Sequence, residues 1–152
     1  MPGYKGHLVG GAVIYAIGLF LLQSLHPAWT TMAEWLLFAV AGALFPDIDI
    51  KSKGQKIFYR ILLIVFAVLL IKGRFQIFIL ISMLAVVPMI VRHRGLFHKL
   101  WFVVGFPSLV AIGISVYFPH YCTIVLYDVS FFIAGAISHL WLDVGLRRML
   151  QF

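Results

Sequence analysis

Long apolar runs separated by short polar connections follow one another along the whole chain. Most of these runs approach the roughly 20 residues that a helix needs to cross the hydrocarbon core of a bilayer. The pattern therefore predicts an all-α integral membrane protein, with a bundle of about six transmembrane helices that form a single domain over residues 1–152. The six predicted spans are Leu8–Leu25, Trp29–Phe45, Ile57–Ile71, Phe75–Val91, Leu100–Phe118 and Tyr121–Leu142.

The third span departs from this pattern because Arg60 interrupts it. The uncharged stretch that follows, Ile61–Ile71, is too short to cross a bilayer by itself. Two interpretations stay open. The segment is either a short span whose Arg60 reaches the membrane interface, or half of a re-entrant hairpin with the next segment.

The first span has the apolar character of a signal-peptide core. Lys5 is the only basic residue before it, and no convincing small-residue cleavage site follows it. We therefore expect it to be retained as a transmembrane helix.

The composition supports a membrane protein and excludes several other classes. The chain is 63% hydrophobic and 11% charged, with a mean hydropathy of +1.06. These values exclude a water-soluble domain of this size, and the length leaves no room for a separate catalytic module. Its single cysteine, Cys122, excludes an intramolecular disulfide and a thiolate metal cluster. The net charge of +7 forms no basic stripe, so nucleic acid is not an expected partner.

The basic residues predict the orientation in the membrane. With six crossings, ten of the 12 Lys and Arg residues fall on the side that holds both termini, and only Lys72 and Arg74 fall on the other. Because cytoplasmic loops are enriched in Lys and Arg, both termini are expected in the cytoplasm. A re-entrant hairpin over 57–91 would leave the sidedness of the other segments unchanged.

Four segments that are distant in sequence each bring His or Asp to the predicted cytoplasmic side. They are the start of the first helix, the end of the second, the turn between the fourth and fifth, and the inner end of the sixth. Ionisable groups at the edge of a bilayer are costly unless they pair, face water or bind an ion. His and Asp without Cys suit zinc, manganese, iron or nickel better than calcium. The predicted metal ligands are His7, Asp47, Asp49, His93, His98, His139 and Asp143.

Each of these motifs also has a purely structural interpretation. His139 and Asp143, four residues apart on one helix face, suit a buried hydrogen bond. The Pro46-Asp47 dipeptide suits a polar turn that ends the second helix, and His7 suits a membrane interface. Because all of these motifs fall on the same side of the membrane, a shared binding site is favoured over three independent structural roles. No chemistry is assigned to His26, His120, Glu34 and Asp128, which fall on the opposite side or towards the outer end.

The chain resembles a known family in the order and spacing of four motifs. These are Gly6-His7, Pro46-Asp47-Ile48-Asp49, His93-Arg94-Gly95-Leu96-Phe97-His98 and His139-Leu140-Trp141-Leu142-Asp143. In these motifs it is similar to the LexA-regulated, inner-membrane-associated metal-dependent hydrolases, which are small multi-span bacterial and archaeal proteins. The resemblance implies a multi-pass protein of the cytoplasmic (inner) membrane with hydrolase activity. Phe97 and Lys99 stand where the family commonly has Ser or Thr around the second histidine, and 145–148 lacks the Thr that often follows the last Asp.

These observations predict a hydrolase that contains one or two divalent ions. Zinc is the expected metal, with manganese or iron as alternatives, and seven ligands exceed one tetrahedral zinc, which favours two ions. Asp47 or Asp49 is the expected bridge, and a remaining carboxylate the general base. Arg94 is the expected phosphate ligand, flanked by Lys99. The predicted catalytic residues are Asp47, Asp49, Arg94 and His98.

The expected substrate is a phosphoester or ester of a membrane lipid or other amphiphile, reached from the cytoplasmic leaflet. Two other classes stay open. A metal transporter would carry ionisable groups through the bilayer, and the chain offers little beyond Asp128 and Glu34. A structural or partner-binding subunit would hold a metal in a closed coordination sphere. The sequence contains no indication of the oligomeric state.

Overall fold

The computed structural model describes residues 3–48, 53–71 and 96–149, together with residues 73, 75, 78, 79, 82 and 86. Every regular element in these residues is helical, which confirms the all-α prediction for this part of the chain. The long helices are α1 (Tyr4–Leu21), α2 (Trp29–Leu44), α3 (Lys53–Ile71), α4 (Leu100–Tyr117) and α5 (Cys122–Met149). Short 3₁₀ turns occupy Gln23–Leu25, Phe45–Asp47, Leu96–His98 and Pro119–Tyr121.

Four segments of the described chain are long and apolar enough to cross a membrane. They are Tyr4–Leu21, Trp29–Asp47, Leu100–Tyr117 and Pro119–Gly145, and they correspond to the first, second, fifth and sixth predicted spans. Most of the fourth predicted span, Phe75–Val91, lies outside the described residues. The count of six and the sidedness of the termini therefore stay predictions.

The predicted helix boundaries need correction at α1 and α3. α1 covers Tyr4–Leu21, whereas the apolar run predicted Leu8–Leu25. The run ends in a 3₁₀ turn, after which His26 takes a left-handed conformation with φ 46°, and this reverses the chain. α3 begins at Lys53 rather than at the predicted Ile57, and it continues through Arg60, whose side chain is exposed.

Glycines allow α1, α2 and α5 to pack closely. α2 and α5 run in the same direction, because Trp35 contacts Phe131 near one end and Ala43 contacts His139 near the other. A Cβ atom at Gly42 would collide with the Phe132 carbonyl, so the backbones approach where a side chain is absent.

The glycines of α1 and those of α4 differ in how closely they approach other helices. A Cβ atom at Gly11 would lie 2.9 Å from the Cβ of Ala43, and Gly10 and Gly18 of α1 have similarly close neighbours on α5. Gly105 and Gly113 of α4, in contrast, meet no atom within 4 Å among the described residues.

Candidate metal centre

α5 contributes His139 and Asp143, which face the same way because they are four residues apart. The His139 side chain is completely buried, and its Nδ1 atom donates a 2.7 Å hydrogen bond to the carbonyl oxygen of Ala43 on α2. A carbonyl oxygen only accepts, so the proton of neutral His139 belongs to Nδ1 and the lone pair belongs to Nε2. This is the tautomer that a metal-binding histidine needs.

The 3₁₀ turn after α2 orients Asp47. Phe45 and Ile48 on either side of it are buried in a cluster with Phe97, and this packing anchors the turn. Its Oδ1 atom lies 3.5 Å from Nε2 of His139. The Gln55 side chain of α3 donates a 2.9 Å hydrogen bond to the carbonyl oxygen of Ile48 and holds the same turn from outside.

Another 3₁₀ turn, Leu96–His98, orients His98. Its middle residue, Phe97, packs edge-on against Phe45 with the ring centres 5.2 Å apart. This aromatic contact brings the next side chain to the cluster, and Nε2 of His98 lies 3.7 Å from Oδ1 of Asp47. The rings of His98 and His139 are nearly perpendicular, at 76°.

α1 contributes His7, which is buried in the first turns of the helix. Its ring stacks on that of His139, with the centres 3.7 Å apart and the planes inclined by 17°. Nε2 of His7 lies 3.4 Å from Oδ1 of Asp143, while Oδ2 of the same carboxylate lies 3.5 Å from Nε2 of His139. Asp143 therefore faces two histidines, each with a different oxygen atom.

The nitrogen–oxygen distances of this cluster suit a bound cation better than direct hydrogen bonds. They run from 3.4 to 3.7 Å, whereas a charged N–H···O bond is about 2.7–2.9 Å long. Donor atoms around a tetrahedral ion at about 2.0–2.2 Å are themselves about 3.3–3.6 Å apart. One ligand atom from each of Asp47, His98, His139 and Asp143 lies within 4.8 Å of the others.

Two buried atoms of the cluster have no hydrogen-bond partner among the described residues. They are Nε2 of His139 and Oδ1 of Asp143. A lone pair that faces carboxylates without an intervening proton or cation is electrostatically unfavourable. The residues therefore fit a divalent cation, which would satisfy these atoms together.

Among the described residues, the exposed part of the cluster is at Asp47 and His98. The side chains of His139 and His7 are 0% and 2% exposed, whereas Asp47 and His98 retain 20% and 12% of their surface. Lys99, next to His98, is exposed. In the described part of the chain, Asp47 and His98 therefore form the edge of the cluster that faces outward.

Five of the seven predicted ligands come together in this cluster: His7, Asp47, His98, His139 and Asp143. Asp49, His93 and the predicted phosphate ligand Arg94 lie outside the described residues. Sequence reasoning missed the carbonyl of Ala43 and the amide of Gln55. A backbone acceptor leaves no signal in the sequence.

Asp128, an acidic residue towards the other end of the bundle, lies apart from this cluster. Asp128 of α5 precedes His139 by 11 residues, about 16 Å along a helix. Its side chain is buried, and Phe131, one helical turn further towards the His/Asp cluster, stacks on Trp35 of α2.

Helices of membrane-spanning length with a buried His/Asp cluster at one end define a multi-pass membrane protein with a candidate metal centre. The chain belongs to the YdjM inner membrane protein family, whose model matches residues 1–148. It is therefore a multi-pass protein of the inner membrane, as the resemblance implied. LexA regulation and hydrolase activity stay predictions. No curated protein and no solved structure matches the chain.

Proposed function

We propose that the chain is a membrane-bound metal-dependent hydrolase. Its substrate is a phosphoester or ester of a lipid or other amphiphile at the cytoplasmic leaflet. The observation that carries this proposal is the environment of His139. Its Nδ1 atom donates a hydrogen bond to the carbonyl oxygen of Ala43, and its Nε2 lone pair faces the carboxylates of Asp47 and Asp143.

Asp47, His98, His139 and Asp143 would hold a divalent ion, for which zinc is proposed and manganese or iron are alternatives. Such an ion lowers the pKa of a bound water from about 15.7 towards about 7 and polarises the oxygen of the scissile bond. Ala43 orients the ring of His139, and the aromatic cluster orients Asp47 and His98.

The remaining catalytic roles are proposed for residues outside the described part of the chain. Asp47 is already proposed as a metal ligand, so a remaining carboxylate, Asp49, is proposed as the general base that accepts the proton of an attacking water. Arg94 keeps the role proposed from the sequence, as the phosphate ligand.

The proposed topology supports a lipid substrate. With six spans and both termini in the cytoplasm, the cluster would lie at the depth of the inner-leaflet headgroups. The exposed cations Lys56, Arg60 and Lys99 belong to elements that border this end of the bundle. An anionic headgroup could approach laterally, since cations at this depth attract phosphate.

Two observations support the proposal of a hydrolase over the two other classes. A transport path would continue from the cluster towards Asp128, but the buried, stacked rings of Trp35 and Phe131 intervene. A structural metal would have a closed set of buried ligands. The partial exposure of Asp47 and His98 argues against a closed sphere.

The test is elemental analysis of the detergent-purified protein, followed by turnover measurements on lipid phosphoesters and esters. We expect the wild-type chain to retain a divalent metal and to hydrolyse at least one substrate class. Asp47→Ala and His139→Ala should each lose bound metal and at least 100-fold in turnover, because a metal ligand is removed.

His26→Ala and His120→Ala are matched controls, since both histidines lie in turns at the opposite end of the bundle. They should leave metal content and turnover unchanged. Unchanged turnover in Asp47→Ala or His139→Ala would contradict the proposal. Bound metal without turnover on any lipid would instead favour the structural role.

A further inference from the structure

We infer that the centre holds two ions bridged by Asp143, with His139 binding one ion and His7 binding the other. The inference rests on the proposed function for the presence of metal. It adds a second ion position beside the cluster of Asp47, His98, His139 and Asp143. It also assigns the bridge to Asp143, whereas the sequence favoured Asp47 or Asp49.

The relative orientation of the histidine ring planes decides which histidines can bind the same ion. The lone pair of an imidazole nitrogen lies in the plane of its ring, so a bound ion lies in that plane as well. The nearly perpendicular planes of His98 and His139 intersect, and one ion can lie in both. These two histidines can therefore share an ion.

His7 and His139 cannot share an ion in the same way. Their centres are 3.7 Å apart and their planes are inclined by only 17°. Over the roughly 3 Å from a ring centre to a bound ion, this inclination closes the gap by only about 1 Å. A single ion would lie far outside at least one ring plane, so His7 needs an ion position of its own.

The carboxylate of Asp143 faces two histidines with different oxygen atoms. It presents Oδ1 to His7 at 3.4 Å and Oδ2 to His139 at 3.5 Å. Asp47, in contrast, presents the same Oδ1 atom to both His98 and His139. A carboxylate that offers one oxygen to each of two nitrogen ligands is arranged as a bridge, whereas Asp47 is arranged as a ligand of one ion.

The spacing of the rings agrees with this arrangement. Ions in two-metal hydrolytic sites are generally about 3.5–4 Å apart. Two ions held in the stacked planes of His7 and His139 would have a similar separation, because the ring centres are 3.7 Å apart. Both oxygen contacts of Asp143 also match the edge of a tetrahedral coordination sphere, about 3.3–3.6 Å.

The test measures metal stoichiometry and magnetic coupling in the whole protein purified in detergent. Zinc-loaded wild-type protein should contain two ions per chain, and His7→Ala should contain one. Wild-type protein loaded with manganese should give the exchange-coupled electron paramagnetic resonance spectrum of two bridged Mn²⁺ ions. His7→Ala should give the spectrum of an isolated Mn²⁺ ion, while His26→Ala should match the wild type in both measurements.

The outcomes separate this inference from the proposed function. One ion per wild-type chain, with hydrolysis intact, would overturn the second ion and leave the hydrolase proposal standing. Two ions retained by His7→Ala would overturn the role of His7. Folded wild-type protein that binds no ion would overturn the proposed function itself. The wild-type stoichiometry and spectrum need no variant, so misfolding of His7→Ala would not remove the test.

Discussion

The Nδ1 atom of His139 donates its hydrogen bond to the carbonyl oxygen of Ala43, and this contact links the candidate metal centre to the packing of α2 against α5. The two helices can approach this closely because Gly42 and Gly135 have no side chains where the backbones meet. The orientation of the buried His139 ring therefore depends on glycines that lie outside the His/Asp cluster.

We expect Gly135→Ala to weaken metal binding without changing any ligand. Its Cβ atom would collide with the carbonyl oxygen of Ala39 and separate α2 from α5. Overpacking of this kind costs about 1–3 kcal/mol, and loss of an orienting hydrogen bond costs about 10–100-fold in metal affinity. Isothermal titration with zinc and the thermal midpoint Tm would measure both effects.

Gly113→Ala is the matched control for this variant. It adds the same methyl group to a helix at a position with no described neighbour within 4 Å. Its Tm should stay constant or rise slightly, because alanine is favoured over glycine in a helix by about 0.5–1 kcal/mol. Equal zinc affinity in Gly135→Ala and Gly113→Ala would argue against the link between packing and the ligand.

Gly145→Ala should destabilise the candidate metal centre by straining α5 just after Asp143. Gly145 interrupts α5 two residues after Asp143, with φ 74° and ψ 159°, a conformation that is essentially restricted to glycine. The strain of about 1–3 kcal/mol should lower Tm by about 2–12 °C and reduce zinc affinity. Gly105→Ala on α4 should show neither change, and an unchanged Tm in Gly145→Ala would mean that Asp143 does not depend on this break.

Chelation should lower the stability of the folded protein, because a metal would join α5 to the turns that carry Asp47 and His98. A ligand present at about 100 times its Kd stabilises the state that binds it by about 2.7 kcal/mol. Tm should therefore fall when metal is removed and recover when zinc is returned. His139→Ala should have a lower Tm that chelation no longer changes, and a full chelator response in this variant would place the metal elsewhere.

Asp128→Asn should leave metal content and turnover unchanged and raise Tm. Its buried carboxylate has an oxygen without a hydrogen-bond partner in the described part of the chain, and Glu34 acts on it as a second negative charge. Asparagine keeps the shape and removes this repulsion, so a gain of about 1 kcal/mol or more is expected. Loss of metal in this variant would instead support a path for ions through the bundle.

Hydropathy predicted the helical class well because a chain inside a bilayer must satisfy its backbone polar groups within its own segments. It predicted helix ends less well. α1 includes the polar Lys5 and His7, and it stops at Leu21 although the uncharged run used for the prediction continues to Leu25. Side-chain hydropathy records the cost of transfer into lipid, whereas a helix ends where the backbone conformation changes, here before the left-handed His26.

The sequence by itself determined that the chain is helical and apolar, and which His and Asp residues fall at the same ends of helices. The four-residue spacing of His139 and Asp143 was enough to predict their shared face. Only the tertiary structure decided which nitrogen of His139 is free to bind a cation, and that Asp143 faces His7 and His139 with different oxygens. The orientation of a ring or carboxylate depends on contacts among α1, α2 and α5, and no local pattern in the sequence encodes these.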